Sequence, residues 1–187
     1  DEKVSTIIKV RAHDEDNREL FFITKKGIVK KTEARLFFHI NKNGIRALTL
    51  KGEDELTYVG LTSGTKKNEV FIATRAGFAI RFSEEDVRSM GRTAAGVKGI
   101  NLRKDDFVVS AAIVNPETDL DKLSVLTITD EGYGKRTSLK EYKVQTRGGK
   151  GIINLKVNDK TGKIVDVKIV DNETEIMLIT SEGTLIR

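Results

Sequence analysis

Short apolar runs separated by turn motifs follow one another along the whole chain. Val70 to Thr74 is such a run, Gly77 closes the turn after it, and Phe78 to Arg81 is the shorter return run. These runs are rich in β-branched and aromatic residues and too short for helices, so they predict paired β-strands. The turn motif Thr-x-x-Gly occurs in four such hairpins, at 24–27, 74–77, 129–132 and 180–183. Its glycine suits a residue with positive φ, where a Cβ would clash.

The spacing of the turn motifs indicates a structural repeat. The four turn glycines stand 50, 55 and 51 residues apart. A second glycine recurs at 44, 96 and 151, and a turn followed by an apolar strand recurs at 54–59, 105–109 and 162–167. Each repeat therefore supplies about four strands, as a propeller blade does. The pattern predicts an all-β fold, a propeller-like array of four-stranded blades.

The repeat divides one domain into five segments. We expect units at 20–69, 70–122 and 123–172, with 1–19 ending a preceding unit and 173–187 beginning a further one. Val4 to Val10 is expected to be a late strand and Gly44 to Leu50 another strand, while Ser83 to Val87 has the spacing of a capped helical turn. Because the chain starts and ends inside repeats, we expect a piece of a larger repeat domain, or terminal strands that pair with each other or with another chain.

Composition narrows the possible functions only slightly. The net charge of +5 arises from 33 basic and 28 acidic residues, so bulk charge is weak support for a polyanionic partner. The chain has no cysteine, which excludes disulfides and thiolate metal sites and fits a reducing compartment. No apolar run has the length of a membrane span, and no signal-peptide pattern is present. The two histidines form no set with serine and aspartate, so we predict no catalytic site, metal or cofactor.

Basic residues recur at one place in every hairpin. Four residues after each turn glycine stands a cation: Lys31, Arg81, Arg136 and Arg187. Lys30 and Lys135 precede two of them. Equivalent positions of stacked or radially arranged blades share one rim, so the repeat predicts a track of positive charge for a regular polyanion such as duplex DNA. The alternative is that each strand simply ends in a solvated basic residue.

A glycine-rich segment is the second candidate site. Gln145 to Gly151 has three glycines, which let backbone N–H groups approach an anion, and it carries Arg147 and Lys150. The corresponding segment of the second unit, at 90–96, carries Arg92. The corresponding segment of the first unit, at 39–44, is a weaker version. Arg46 and Lys98 follow the second glycines and complete the candidate DNA-binding set. The segment is not a P-loop, because Gly151 follows Lys150. The alternative is a connector between strands of neighbouring blades.

The glycine-rich segment also carries a family resemblance. Gln145, Thr146, Arg147, Gly148, Gly149, Lys150 and Gly151 differ at one position from the box Gln-Arg-Arg-Gly-Gly-Lys-Gly of the DNA gyrase A subunit. The segments 87–93, 96–100 and 132–137 also resemble the C-terminal domain of that subunit. The resemblance implies a β-pinwheel, a ring of blades that exchange strands. It also implies a basic perimeter that wraps duplex DNA and biases strand passage toward negative supercoiling.

The same resemblance sets expectations for the whole protein. It implies part of a bacterial, ATP-dependent type II topoisomerase in the cytoplasm, associated with the nucleoid. The expected partners are the B subunit, together with the rest of the A subunit. The DNA-cleaving tyrosine and the ATPase of that family lie elsewhere, so this segment is expected to have no catalytic activity.

Two departures from the family pattern leave alternatives open. Thr146 stands where the family's main box has arginine, and the box lies in the third unit rather than in the first blade. We therefore interpret Gln145 to Gly151 as a secondary copy of the box, with Arg147 and Lys150 contacting the DNA backbone. The C-terminal domain of the topoisomerase IV A subunit is one alternative. A propeller that serves as a protein-binding scaffold is the other.

Overall fold

Short strands make up nearly all the regular structure. The computed structural model describes residues 4–9, 18–39, 41–62, 67–115 and 117–187. The strands in this part of the chain are β1 (Glu19–Thr24), β2 (Ile28–Glu33), β3 (Leu56–Leu61), β4 (Glu69–Thr74), β5 (Phe78–Ser83), β6 (Val97–Lys98), β7 (Val108–Val114), β8 (Ser124–Thr129), β9 (Gly134–Ser138), β10 (Ile152–Ile153), β11 (Ile164–Val170), β12 (Leu178–Ile179) and β13 (Leu185–Ile186). Three short 3-10 helices follow the second strands of the hairpins: η1 (Ala34–Phe37), η2 (Glu84–Asp86) and η3 (Leu139–Glu141).

The strands form successive antiparallel sheets with one repeated order. The first sheet has the order β3-β1-β2-β6 and the second the order β7-β4-β5-β10. The third sheet, β11-β8-β9, keeps this order over three strands, and β12 and β13 form a further hairpin. This arrangement confirms the predicted all-β array, with four-stranded sheets in its first two members.

The fourth strand of each complete sheet comes from the next unit along the chain. β6 pairs with β2 through Ile28↔Lys98 and Val29↔Val97. β10 pairs with β5 in the same way, since Ile152 lies opposite Ala79. A close backbone approach makes this exchange depend on glycine. A Cβ on Gly151, which has φ of +69°, would lie 2.5 Å from the Ala79 carbonyl oxygen, and one on Gly96 equally close to that of Val29.

The hairpin turns have the conformation that their sequence predicts. The turn glycines have positive φ, with 76° at Gly27 and 94° at Gly77. The threonine that opens each turn accepts a hydrogen bond from the amide four residues later, as in the 3.1 Å bond from the Ile28 N–H to Thr24 Oγ1. The same bond recurs in the third and fourth hairpins, at Thr129 and Thr180. Local sequence therefore specifies the turn of each hairpin.

Neighbouring sheets pack face to face, which gives the array an inner and an outer edge. Phe21 of the first sheet packs near Phe82 of the second, with ring centroids 6.5 Å apart. Phe71 contacts Tyr142 of the third unit in an edge-on arrangement at 5.1 Å. β7 lies against both β3 and β11, and Ser110 Oγ of β7 donates to the Val167 carbonyl of β11 at 2.9 Å. These strands form the inner edge, so β6 and β10, at the opposite ends of their sheets, form the outer edge.

Two predicted strands are absent, while the predicted helical turn is present. Gly44 to Leu50 forms no strand. Its counterparts β6 and β10 each pair with the hairpin of the preceding unit, and the described residues contain no hairpin of a unit before β1. Residues 4–9 form no strand either, and Val10 lies outside the described residues. Ser83 caps η2, as predicted, by accepting from the Glu85 N–H at 3.2 Å.

None of the helices in the described residues is long and apolar enough to cross a membrane.

Candidate nucleic-acid interface

The recurring cations do not form one exposed row. Lys31 and Arg81 are only 4% and 5% exposed. Lys31 Nζ lies 3.1 Å from Glu19 Oε2, and it donates a hydrogen bond to the Glu84 carbonyl oxygen at 3.3 Å. The Lys31 side chain extends toward η2 of the next unit. The position that recurs in every hairpin therefore lies, in this hairpin, at a junction between units. The prediction that Lys31 lies on an exposed track is therefore wrong.

Arg81 repeats this arrangement one junction further on. Its Nε donates to Glu69 Oε2 at 2.6 Å. Its Nη1 donates to the carbonyl oxygens of Leu139, in η3, and Tyr142, both at 3.1 Å. The guanidinium thus joins its own hairpin to the helix of the following unit. The predicted exposure of Arg81 is wrong for the same reason as that of Lys31.

The other two members of the row are exposed and have different partners. Arg136 Nη2 donates to Asn172 Oδ1 at 2.7 Å. Arg187 Nη2 lies 2.5 Å from Glu175 Oε1, in an ion pair that solvent reaches on both sides. An acidic residue precedes three of the four cations by 12 positions, at Glu19, Glu69 and Glu175. That recurring spacing is the sequence signal for an ion pair that our prediction missed.

Lys30 is also buried rather than available to a ligand. Its side chain is inaccessible to solvent, and its Nζ donates to the carbonyl oxygens of Ala47, at 2.6 Å, and of Arg92. Its Nζ lies 5.6 Å from the centroid of the Phe22 ring. Burial, with a smaller contribution from the charge of Arg92, lowers the pKa of Lys30 from 10.5 to about 8. The exposed position expected of Lys30 is therefore wrong, because its side chain is buried.

The lowered pKa of Lys30 predicts a pH-dependent stability. Between pH 8 and 10.5 the unfolded chain binds the lysine proton more tightly than the folded chain does. The free energy of unfolding of the parent chain should therefore rise with pH across this window, by at most about 3 kcal/mol, relative to Lys30→Met. Urea unfolding of both proteins between pH 7.5 and 10 measures the difference. Parallel pH profiles would contradict the buried ammonium.

The glycine-rich segment 145–151 is the crossing between two sheets. The Gln145 N–H donates to the Arg81 carbonyl at 2.7 Å, where the segment leaves its own unit. The Gly148 N–H donates to the Gly99 carbonyl at 2.6 Å, and the Asn101 N–H donates to the Gly149 carbonyl at 2.8 Å. From Gly151 the chain enters β10 on the preceding sheet. The segment is therefore a connector between strands of neighbouring sheets, on the outer edge of the array.

The two cations of this segment have different environments. Lys150 is exposed. Arg147 is half-buried; its Nε donates to the Asp86 carbonyl at 2.8 Å and its Nη1 to the Lys98 carbonyl at 3.1 Å. Its backbone N–H donates to Asp86 Oδ2 at 3.2 Å. The guanidinium of Arg147 therefore makes protein contacts, and its predicted contact with DNA stays a prediction.

An arginine that the sequence did not single out lies beside Lys150. Arg103 is exposed, its guanidinium carbon lies 3.1 Å from the centroid of the Phe78 ring, and its Nη1 donates to the Lys150 carbonyl at 3.0 Å. Arg103 does not belong to the recurring turn motifs or glycine-rich segments. The signal in the sequence that could have indicated it is the basic pair Arg-Lys at 103–104, which follows an exchanged strand. We call Lys98, Arg103 and Lys150 the outer basic set, since all three are exposed on or beside the exchanged strands.

The remaining predicted residues vary in exposure. Arg46 and Lys135 are exposed, and Arg92 is half-buried. Of the eleven predicted DNA-binding cations, Lys98, Arg147 and Lys150 lie together at one junction of the outer edge. Arg147 donates to the Lys98 carbonyl, and backbone hydrogen bonds join the loop of Lys150 to the segment that follows Lys98.

Comparison with known proteins decides the family. A family model described as the DNA gyrase C-terminal domain, beta-propeller, matches residues 18–63, 68–115 and 124–171. The chain belongs to this family. The DNA gyrase A subunit of Lawsonia intracellularis is 46% identical to it over 187 residues, which are all of this chain and 22% of that protein. The chain thus spans about a fifth of the length of this gyrase relative, and the predicted membership is confirmed.

Two solved structures support the same fold for this gyrase-type domain. The C-terminal domain of DNA topoisomerase IV has a TM-score of 0.83 and 30% identity, covering 92% of this chain and 52% of that one. The DNA gyrase A C-terminal domain has a TM-score of 0.77 and 25% identity, covering 91% and 55%. The predicted β-pinwheel, with strands exchanged between blades, is confirmed.

Proposed function

We propose that this gyrase-type domain binds duplex DNA along its outer edge and bends the duplex around the blade array. One observation carries the proposal: a near-copy of the gyrase box forms the crossing at the outer edge, in a chain that belongs to the gyrase family. That crossing presents Lys150 to solvent beside Arg103. Exposed cations on a curved edge match the regularly spaced charges of a DNA backbone.

The contacts proposed are with phosphates, so binding does not depend on base sequence. Each Lys or Arg that neutralises a phosphate releases counterions, which makes affinity depend steeply on salt. Bending a site of 20–30 bp costs about 1–6 kcal/mol, and many weak contacts along the edge offset that cost. A curved array of blades supplies such contacts at intervals set by the repeat.

The structure changes which residues we propose as DNA contacts. Lys30, Lys31 and Arg81 are removed because they are buried. Those kept are exposed or half-buried: Arg46, Arg92, Lys98, Lys135, Arg136, Lys150 and Arg187. Arg147 is also half-buried, but it is set apart because its guanidinium donates to the carbonyls of Asp86 and Lys98. Arg103 is added on account of its exposure and its contact with Lys150. The outer basic set is the centre of this proposed surface.

We further propose that the domain works inside DNA gyrase, an ATP-dependent type II topoisomerase. Its partners would be duplex DNA, the B subunit, and the remainder of the A subunit. The domain would contribute no catalytic group, and it would act in the cytoplasm at the nucleoid. Its contribution to the reaction would be to bias strand passage toward negative supercoiling.

A topoisomerase IV-type domain is the second candidate, favoured by the TM-score of 0.83 against 0.77 for the gyrase domain. The gyrase assignment is favoured by the box at Gln145 to Gly151 and by the 46% identity to a gyrase A subunit over the whole chain. A protein-binding scaffold of another class would leave DNA untouched, so a DNA topology experiment separates it from both.

Ligation of relaxed nicked circular DNA in the presence of this domain tests the proposal. Strand passage turns a positive crossing into a negative one, so the proposed bias requires the domain to constrain positive supercoils. We expect topoisomers shifted to positive linking difference after ligation and removal of protein, in proportion to the protein added. Topoisomers identical to those of a protein-free reaction would contradict wrapping.

A further inference from the structure

Consecutive crossings are joined to each other along the outer edge. The crossing of the third unit, 145–151, meets the end of the second unit's exchanged segment through two backbone hydrogen bonds. The Gly148 N–H donates to the Gly99 carbonyl at 2.6 Å, and the Asn101 N–H donates to the Gly149 carbonyl at 2.8 Å. Each segment also pairs with a different sheet, through β6 and β10. The outer edge is therefore continuous across this junction.

The side chain of Arg147 extends this connection in two directions. Its Nε donates to the carbonyl of Asp86, at the end of η2, at 2.8 Å. Its Nη1 donates to the carbonyl of Lys98, in β6, at 3.1 Å. Since β6 belongs to the first sheet and η2 follows β5 of the second, one guanidinium links a loop of the third unit to elements of both preceding sheets.

We infer that Arg147 is a positioning residue, which sets the spacing of the outer basic set, and not itself a phosphate contact. This inference deepens the proposed function and rests on it. Arg147 binds the backbone of Lys98 directly, and it holds the loop that carries Lys150. Arg103 in turn donates to the Lys150 carbonyl. Without the hydrogen bonds of Arg147, fewer contacts would hold the two crossings together, and the three exposed cations would be less fixed relative to one another.

The geometry requires arginine in particular. A planar guanidinium presents several donors in fixed directions and can reach two separate carbonyls at once. A lysine ammonium is a single donor nitrogen on a flexible stem, so it keeps the charge at this position but cannot reproduce donation from two separate nitrogens, Nε and Nη1. Arg147→Lys therefore separates a charge role from a positioning role.

The experiment compares the parent chain with Arg147→Lys in two measurements. Hydrogen exchange should become at least about tenfold faster at the amides of Gly148 and Asn101, while the buried amides of β4 keep their protection. DNA affinity in 0.1 M salt should fall by about tenfold, the equivalent of about one phosphate contact. Arg35→Lys is the matched control, because Arg35 is an exposed arginine that is ion-paired with Glu33 and lies outside the proposed DNA contacts. Both its affinity and its amide exchange should stay within about twofold of the parent values.

The two measurements test different parts of the inference. Unchanged exchange at Gly148 and Asn101 would overturn the positioning role. Faster exchange with unchanged affinity would overturn the link to DNA. If the parent chain bound no DNA, the proposed function would fail while hydrogen exchange still decided whether Arg147 positions the loop. Asp86→Ala is the second variant, because it removes only the acceptor of the Arg147 N–H and should shift exchange in the same direction by a smaller factor.

Discussion

Replacing Arg81 with methionine should lower the free energy of unfolding by about 3–5 kcal/mol, the usual cost of removing one partner of a buried ion pair. Arg81 is 5% exposed, and its Nε donates to Glu69 Oε2 at 2.6 Å. Methionine would leave that carboxylate, itself 20% exposed, without its cation. It would also remove the Arg81 donor from the Tyr142 carbonyl and from the Leu139 carbonyl, which keeps the Tyr142 N–H. Urea unfolding at pH 7 measures the change.

Arg187→Met is the matched control, because Arg187 occupies the same place in the last hairpin. Its ion pair with Glu175 is exposed, so the same change should cost under about 1 kcal/mol. Equal destabilisation by the two substitutions, or a cost under about 1 kcal/mol for Arg81→Met, would contradict the junction role.

The hairpins could be predicted because their determinants are local. Thr24 and Gly27 belong to one turn, and the threonine hydroxyl and the positive φ of the glycine act within it. Ser83 likewise directly precedes η2, the helix that it caps. Repetition of these signals at near-constant spacing then predicted the blade array. The prediction of the array did not depend on knowing which strands pair.

The exposure of the recurring cations could not be predicted from position within a hairpin. Residues 29–32 of β2 are all buried, and so are residues 79–82 of β5. Neighbouring sheets cover both faces of β5, while the first sheet packs against the second on one face and against residues of η1 on the other. A rule for half-buried strands places a basic strand end in solvent, and that rule fails for Lys31 and Arg81. The acidic residues 12 positions earlier would have indicated ion pairs in place of a DNA-binding track.

The outer edge depends on contacts between residues far apart in sequence. Gly151 could be recognised as a recurring glycine, but its reason is the Ala79 carbonyl, 72 positions earlier. Arg103 gains its place by lying over Phe78 and beside Lys150. Neither contact leaves a recognisable pattern in the neighbouring sequence. The sequence therefore indicated the box and Lys150, but not the residues that surround them in the structure.

Neutralising the outer basic set should weaken DNA binding more than any other change to the exposed cations. In the variant Lys98→Gln, Arg103→Gln, Lys150→Gln, we expect the slope of log affinity against log salt to decrease by about 2.7, at about 0.9 for each phosphate that is no longer neutralised. At 0.1 M salt this corresponds to about a 500-fold lower affinity. The three side chains are exposed, so the free energy of unfolding should change by under about 1 kcal/mol. Fluorescence anisotropy with a labelled duplex at four salt concentrations measures the slope.

A charge-matched control distinguishes local contacts from overall charge. Lys25, Lys122 and Lys168 are ion-paired with Glu55, Asp119 and Asp166. Replacing these three with glutamine removes the same three positive charges, but it should lower affinity by less than about tenfold and change the slope by less than about 1. Net charge falls equally in both variants. If long-range attraction alone determined binding, the two variants would lose affinity equally. If the outer basic set contacts phosphates, its variant should lose more. Equal slopes for the two variants would show that the outer basic set makes no phosphate contacts of its own.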